Sequence, residues 1–188
     1  MSTLGAWRVP VAVASTVVLV DQLTKHWAIN ELGNDRTIDV LWTLRFNLAF
    51  NNGMAFGQGG GFGPVIGVVA TLVIVYLLIT LRNESSRLSA VGMGLLIGGA
   101  AGNLIDRLFR GNGFLDGAVV DFIDFQWFPI FNIADMAINV GAALLILGSI
   151  LSSRRQAHVD RAPDDGSTDD ERAEDHSVNG HTAGESQP

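Results

Sequence analysis

The 188-residue chain contains no cysteine and only four histidines, and both shortages limit the chemistry that it can perform. Without cysteine there is no disulfide, no thiolate metal site and no cysteine nucleophile. Three histidines lie in a polar C-terminal stretch, and no histidine pair has the spacing of metal ligands on a helix. We therefore expect neither a metal site nor a cofactor.

Charged residues are also scarce, at 16% of the chain against about 25% in soluble domains, whereas 48% of the residues are hydrophobic. The net charge of −7 arises entirely after Arg155, where nine acidic residues face two basic ones. The preceding residues carry ten of each sign, so the acidity gives no reason to expect a nucleic-acid partner. This composition predicts an integral membrane protein.

Four apolar segments are each close to the roughly 20 residues that a helix needs to cross a bilayer. They predict helices at about 7–29, 62–81, 88–105 and 133–151. The first segment is followed by Asp21–Lys25 rather than by a small-residue cleavage site, so we interpret it as a retained helix and not as a signal peptide. The predicted fold is an all-α membrane protein with four transmembrane helices in residues 1–155.

Basic residues in the short connections indicate the orientation of these helices. Arg8 precedes the first helix, Arg82 and Arg87 join the second to the third, and Arg154 and Arg155 follow the fourth. This pattern places both termini in the cytoplasm. Residues 156–188 are rich in Asp, Ser, Gly and Glu and predict a disordered, acidic cytoplasmic tail.

The outer loop between the first two helices, about residues 30–61, is too long for a simple connection. Its stretch "TIDVLWTLRFNLAF" partly alternates apolar and polar residues and is rich in residues that favour strands, so a small extracytoplasmic β-rich region is expected. The glycine-rich stretch 57–63 predicts a mobile cover over a site, and the alternative is a rigid sheet that only anchors the helices.

With this orientation, the polar residues of the apolar region fall at one depth, near the outer face. An unpaired carboxylate at membrane depth costs about 3 kcal/mol on insertion scales, so these groups require a compensating role. A proton path would more often cross the bilayer, whereas a single layer suggests a site. The layer comprises Asp21, Lys25, Asn103, Asp106, Arg107, Asp121, Asp124, Asn132 and Asp135, together with the loop motif "FNNGMAF" at 50–56.

Structural explanations also exist for these residues. Asp135 fits an acidic residue at a helix N-terminus, and Asp21 with Lys25 fits an i,i+4 ion pair. Asp106 and Arg107 fit a helix end, and Asp124 fits a solvated loop residue. Four glycines of the third helix fit a close-packing face: Gly94, Gly98, Gly99 and Gly102.

Two carboxylates without metal ligands or a nucleophile suggest acid–base chemistry on water, because repulsion leaves one proton shared by the pair. A small transporter or proton relay that uses intramembrane Asp and Lys is the alternative. A non-catalytic membrane assembly factor with a glycine-rich helix face is a third reading.

Five ordered blocks across the core resemble the bacterial lipoprotein signal peptidase family, also called signal peptidase II. The resemblance covers about residues 11–151, and the tail has no counterpart in it. The blocks are "DQLTK" at 21–25, "FNNGMAFG" at 50–57, "GGAAGNLIDRL" at 98–108, "VVDF" at 119–122 and "FNIAD" at 131–135.

The resemblance implies a monomeric aspartic endopeptidase of the bacterial cell membrane with its active site near the outer face. Its substrate would be a prolipoprotein, cleaved just before a cysteine that carries diacylglycerol, in contact with membrane lipid. By motif, Asp121 and Asp135 are the catalytic pair, and Asp124 is a rival outside the motif. The supporting residues are Asp21, Lys25, Asn51, Gly53, Asn103, Asp106, Arg107 and Asn132. Met54 departs from the family pattern, which often has a smaller residue there.

Overall fold

A computed structural model describes residues 3–53, 62–83 and 86–159. Within these ranges the chain forms four α-helices and one three-stranded sheet. The helices are α1 (Thr3–Leu32), α2 (Gly63–Thr80), α3 (Arg87–Phe109) and α4 (Ile133–Val159). The strands are β1 (Ile38–Leu41), β2 (Leu44–Asn51) and β3 (Val119–Asp124). Each of the four apolar segments corresponds to one helix.

Three of the helices in the described part of the chain are long and apolar enough to cross a membrane: α2, α3 and α4 over Ile133–Arg154. Their lipid-facing surfaces are extensively apolar, with Val65, Leu72 and Tyr76 of α2 exposed. α1 is not among these three, and its C-terminal half carries Asp21, Gln22 and Lys25. Three of the four predicted transmembrane helices are thus candidate membrane spans, and a fourth span through α1 stays a prediction.

The glycines of α3 allow α1 and α4 to approach it closely. A Cβ on Gly98 would lie 2.8 Å from the Ala14 carbonyl oxygen of α1, and a Cβ on Gly99 would overlap the Ala134 backbone of α4. Small residues at helix contacts permit this separation in membrane bundles. The predicted close-packing face is confirmed, and it lies on two sides of α3 rather than one.

The sheet is antiparallel in the order β1–β2–β3. The outer loop supplies β1 and β2, as expected, but β3 comes from the segment after α3 and pairs Asp121 with Ala49 across the ladder. The purely α description of the core is therefore incomplete. Buried and exposed residues do not alternate along "VVDFID", because both faces of β3 are mostly buried.

An aromatic cluster fixes the sheet on the C-terminal end of α1. Trp27 of α1 meets the ring of Phe46 at 5.3 Å and that of Phe122 at 6.2 Å, both edge to face. Ala28 and Leu32 are buried against the same cluster. Edge-to-face contacts add about 0.5–1.5 kcal/mol each beyond the burial of area. The cluster holds β3, and with it Asp121, against the helices.

Several sequence-based expectations fall outside the described residues. These are Met54, most of the glycine-rich stretch 57–63 and the tail from residue 160 onward. The predicted cover and the predicted tail disorder therefore stay predictions.

Candidate active site

Two different elements bring Asp121 and Asp135 together. Asp121 lies in the middle of β3, and Asp135 is the third residue of α4. Between them the chain turns back on itself, since Phe131 forms an isolated antiparallel bridge with Ile123. This return places the beginning of α4 beside the strand that it follows.

Asn132, just before α4, contacts both aspartates. Its side-chain nitrogen donates to Asp121 Oδ1 at 2.6 Å, and its backbone N–H donates to Asp135 Oδ2 at 3.2 Å. In return, the Asp135 backbone N–H donates to Asn132 Oδ1 at 3.0 Å. This reciprocal pair has the form of a capping box, which satisfies N–H groups at the start of a helix. The Asn132 side chain thus contacts Asp121 through its nitrogen and the Asp135 backbone through its oxygen.

Asn51 and Gly53 approach Asp121 from β2. The Asn51 side-chain nitrogen donates to Asp121 Oδ2 at 3.2 Å, and Gly53 N–H donates to Asn51 Oδ1 at 3.0 Å. The second bond fixes the amide so that its nitrogen faces the carboxylate. Gly53 has a φ of +141°, a conformation that requires glycine. Both residues of the loop motif therefore belong to the site.

Asn103 of α3 reaches Asp135. Its side-chain nitrogen donates to Asp135 Oδ1 at 2.8 Å, and its oxygen accepts from Asn132 Nδ2 at 3.1 Å. Asp135 thus accepts one hydrogen bond on each oxygen, from Asn103 and from the Asn132 backbone.

The electrostatics of Asp121 differ from those of an ordinary aspartate. Burial, and then the negative charge of Asp135, raise the pKa of Asp121 from 3.8 to about 7, although the hydrogen bonds from Asn51 and Asn132 act in the opposite direction. Desolvation and a neighbouring like charge both disfavour the ionised form. At neutral pH this carboxyl group therefore carries a proton in a large share of the molecules.

A cavity of about 400 Å³ opens beside the pair and is lined by both aspartates. Asn51, Asn103 and Arg107 also line it, and the rest of its wall is mostly apolar. The apolar lining comes mainly from three helices: Ile66, Val69, Ala70 and Val73 of α2, Leu96, Ala100 and Leu104 of α3, and Ile138 of α4.

Arg107 lines the same cavity with an unused donor. The residue is buried, and its Nη1 has no hydrogen-bond partner among the described residues. Its positive charge acts on Asp121, Asp106 and Asp135. A buried guanidinium nitrogen without a partner is costly, so this atom is suited to an oxygen of a bound molecule.

Behind the cavity, Asp21, Lys25 and Asp106 form a buried triad. Lys25 Nζ lies 2.8 Å from Asp21 Oδ2 and 2.8 Å from Asp106 Oδ2, and all three side chains are fully buried. The i,i+4 ion pair expected from the sequence is therefore present. The third member was not foreseen, because it comes from another helix. Gln22, which the sequence did not single out, bridges Asp21 and Asp106.

Asp124 does not join the site. Its carboxylate accepts from Arg45 Nε at 2.7 Å and from the Gln126 backbone N–H at 2.6 Å. It is buried on β3, and not solvated in a loop as the sequence suggested. Its partners are remote from Asp135.

A protonated and an ionised carboxyl group at one cavity can act together as general acid and general base. Within residues 3–53, 62–83 and 86–159, no cluster of three or more His, Cys, Asp or Glu side chains is arranged to hold a metal ion. The geometry thus offers proton transfer between the two aspartates and a bound molecule.

Comparisons with known proteins point to one family. The family model described as "Signal peptidase (SPase) II" matches residues 13–151. A "Lipoprotein signal peptidase" of Mycobacterium avium is 40% identical over 144 residues, covering 76% of this chain and 79% of the relative. One of Streptomyces coelicolor with the same name is 42% identical over 149 residues, covering 77% and 72%.

Solved structures agree with the sequence relatives. A structure described as "Bacterial membrane enzyme structure by the in meso method" aligns with a TM-score of 0.67 and 30% identity, covering 77% of this chain and 88% of the other. A second structure with a similar description gives a TM-score of 0.64 at 30% identity, covering 74% and 90%.

Proposed function

The chain belongs to the signal peptidase II family and is a peptidase that removes signal peptides from prolipoproteins, and we propose that it does so with Asp121 and Asp135 as an aspartic catalytic dyad. The observation that carries this proposal is the double contact of Asn132. One residue donates hydrogen bonds to both carboxylates, at 2.6 Å and 3.2 Å, and both aspartates line the cavity. In the part of the chain that the structure describes, no other residue donates a hydrogen bond to both carboxylates.

The roles of the two aspartates follow from their surroundings. Asp121 has the raised pKa and is the general acid, with the proton on Oδ2, since Oδ1 is tied by the shorter bond from Asn132. Asp135 accepts one hydrogen bond on each oxygen, from Asn103 and from the Asn132 backbone, and is the general base. The two groups therefore hold one proton between them in the resting enzyme.

Hydrolysis then proceeds in two proton-balanced steps. Asp135 takes a proton from water while the water oxygen bonds to the scissile carbonyl carbon and Asp121 gives its proton to the carbonyl oxygen. The tetrahedral intermediate then releases the amide nitrogen. Asp135 gives its proton to that nitrogen, and Asp121 recovers a proton from the intermediate as the carbonyl re-forms. Both aspartates return to their starting states, and no other reactant is consumed.

The cavity suits a lipidated peptide. Its apolar wall accommodates the hydrophobic part of a signal peptide or an acyl chain, and Arg107 Nη1 is available to a backbone carbonyl of the substrate. We take the substrate to be a prolipoprotein cleaved just before a diacylglyceryl-modified cysteine. Two acyl chains anchor such a residue firmly, since each buried methylene contributes about 0.8 kcal/mol.

The protein is placed, in this proposal, as a monomer in the bacterial cell membrane, with both termini in the cytoplasm and the dyad near the outer face. The short-loop basic residues support this orientation. Membership of this peptidase family argues against the two alternative functions, a transporter and an assembly factor. Each alternative depended on a single feature of the chain, and these features are now part of the proposed site.

Cleavage of a purified diacylated prolipoprotein in liposomes tests the proposal. The wild-type protein should cleave before the lipidated cysteine, and Asp121→Asn and Asp135→Asn should each lower kcat by about 10²–10⁴ while remaining folded. An unlipidated precursor should be a poor substrate at the same concentration.

Asp124→Asn provides the matched control, because it removes a carboxylate of the same strand and similar burial. It should retain most of the activity. An active Asp121→Asn together with an inactive Asp124→Asn would show that the dyad is misassigned, and equal cleavage of lipidated and unlipidated precursors would refute the anchoring role of the lipid.

A further inference from the structure

The buried triad contacts the backbone on either side of the site. Asp21 Oδ1 accepts from the Ala134 N–H at 3.0 Å, and Asp106 Oδ2 accepts from the Val120 N–H at 3.3 Å. Ala134 and Val120 are the residues directly before Asp135 and Asp121. Each acid of the triad therefore holds the peptide unit next to one acid of the dyad.

Lys25 joins the two halves of this arrangement. Its ammonium lies at the same distance, 2.8 Å, from Asp21 and from Asp106. Its third contact, at 2.9 Å, is to Asn103 Oδ1, so all three N–H donors are used. No exposed surface of the side chain is left for solvent or for a ligand.

The contact between Lys25 and Asn103 sets the direction of the Asn103 amide. An ammonium can only donate, so the amide oxygen must face Lys25 and the amide nitrogen must face Asp135. A reversed amide would bring its NH₂ group against the donors of Lys25 and Asn132. Lys25 thus controls which atom meets Asp135.

We propose that Asp21, Lys25 and Asp106 form a positioning clamp that sets the separation and orientation of the catalytic dyad. The clamp rests on the proposed function of Asp121 and Asp135. None of its three side chains lines the cavity, so it acts through Ala134, Val120 and Asn103 and not on the substrate. They are positioning residues.

The cost of the clamp supports a role beyond stability. A buried ion triad pays a large desolvation penalty, and apolar residues of similar volume are often equally or more stabilising. A single apolar cluster, however, cannot fix two peptide N–H groups and one amide in defined directions. Placement of a catalytic group to within about 1 Å can change the rate by roughly 10²-fold.

Gly102→Ala tests the clamp without changing any charge. A Cβ at this position would lie 2.6 Å from Asp21 Oδ2 and 3.4 Å from the Ala134 Cβ, so Asp21 must shift. We expect kcat per folded enzyme to fall about 10- to 100-fold with KM within about twofold, because the cavity lining is untouched. Gly148→Ala is the control, because its Cβ would meet the Ser89 Oγ at 2.9 Å, where α4 contacts the start of α3 and away from the triad.

Gly102→Ala can also be tested by a measurement that needs no substrate. The infrared carboxyl band that disappears in Asp121→Asn can be titrated in the wild type and in Gly102→Ala. A loosened dyad weakens the repulsion from Asp135, so the pKa of Asp121 should fall below about 7 by roughly half a unit or more. The other charged groups that act on Asp121, namely Arg107 and Lys25, keep their charge in this variant.

Asp106→Asn tests the other half of the clamp. Both Asp106 oxygens accept hydrogen bonds, and an amide has only one acceptor oxygen, so contact with either Arg110 or the Lys25–Val120 side is lost. Arg110→Gln is matched, since it removes the 2.7 Å partner of Asp106 on the side away from the dyad. Asp106→Asn should lower kcat about tenfold or more, and Arg110→Gln should change it by less than about threefold.

If Asp106→Asn does not fold, the double variant Asp21→Asn/Lys25→Gln removes both ion pairs of Lys25 and leaves the Asp106–Arg110 pair. It should fold and show the same loss of kcat. Folded variants with wild-type kcat and an unchanged Asp121 titration would overturn the clamp. An active Asp121→Asn would instead overturn the proposed function, while the infrared titration would still report on the clamp.

Discussion

Strand β3 carries two aspartates three residues apart, Asp121 in its N-terminal half and Asp124 at its C-terminal end, and their electrostatic surroundings are opposite. Both side chains are about 3% exposed, so accessibility does not distinguish them. Asp121 has neutral amides and a second carboxylate as neighbours, and burial together with Asp135 raises its pKa to about 7. For Asp124, burial acts in the same direction, but the hydrogen bonds from Arg45, the Gln126 backbone and Asn47 outweigh it and lower the pKa.

The difference shows that a buried aspartate becomes reactive or inert through its partners. Neutral donors hold a carboxylate in place and still allow it to be protonated or ionised, whereas a neighbouring guanidinium keeps the carboxylate ionised. We therefore call the part of β3 around Asp121 its titratable end and the part around Asp124 its structural end.

The largest expected effect comes from removing the shared donor at the titratable end. Asn132→Leu deletes the bond to Asp121 Oδ1 and the bond to Asn103, and it breaks the reciprocal pair at the start of α4. We expect kcat to fall about 10²-fold or more. Single-turnover cleavage in liposomes measures this directly.

Asn47→Ala is the counterpart at the structural end, where Asn47 donates to Asp124 at 3.3 Å. It should leave kcat within about twofold of the wild type. Equal losses in the two variants would mean that the ends of β3 do not differ in function.

A smaller effect should appear in the pH dependence. Since Asp121 must be protonated to act as the acid, kcat should decline as the pH rises through about 7. The Asn51 hydrogen bond lowers the pKa of Asp121, so Asn51→Ala should move this alkaline limb to higher pH. A kcat–pH profile for both proteins gives the two limbs.

Arg45→Gln serves as the control for that profile, because it raises the pKa of Asp124 instead. Its alkaline limb should coincide with that of the wild type. If the alkaline limb of Arg45→Gln is displaced, the titration near pH 7 belongs to Asp124 and not to Asp121.

The smallest expected effect is on stability. Arg45→Gln removes a 2.7 Å ion pair whose arginine is 33% exposed, so solvent screening limits the loss to about 1–2 kcal/mol. Because the pKa of folded Asp124 is lowered, this stability is present above pH 3.8 and is lost as the pH falls below it. Thermal unfolding in detergent at two pH values should show the gap between the proteins closing in acid.

The helices could be predicted from the sequence because they depend on local signals. Apolar length gave the helices, and the motifs around Asp121 and Asp135 gave the family. The i,i+4 spacing of Asp21 and Lys25 likewise predicted their ion pair.

Contacts between distant segments were missed for a physical reason. The pairing of Asn51 with Val119 joins residues far apart in the chain, and nothing in "VVDFID" specifies β2 as its partner. The same holds for Asp106 in the buried triad and for Arg45 beside Asp124, since each depends on how whole elements pack. The contact of Asn132 with Asp121 also required the return of the chain at Phe131.

The reciprocal hydrogen bonds between Asn132 and Asp135 have a consequence for the synthesis and membrane insertion of the enzyme. The proposed base is also the residue that closes the first turn of α4, so this turn and the proposed catalytic pair share the same hydrogen bonds. Asp121 and Asp135 follow α1, α2 and α3 in the chain, and a ribosome completes them late. A nascent chain entering the membrane therefore has no assembled dyad until its last helix docks, and unfinished copies cannot cut their neighbours during insertion.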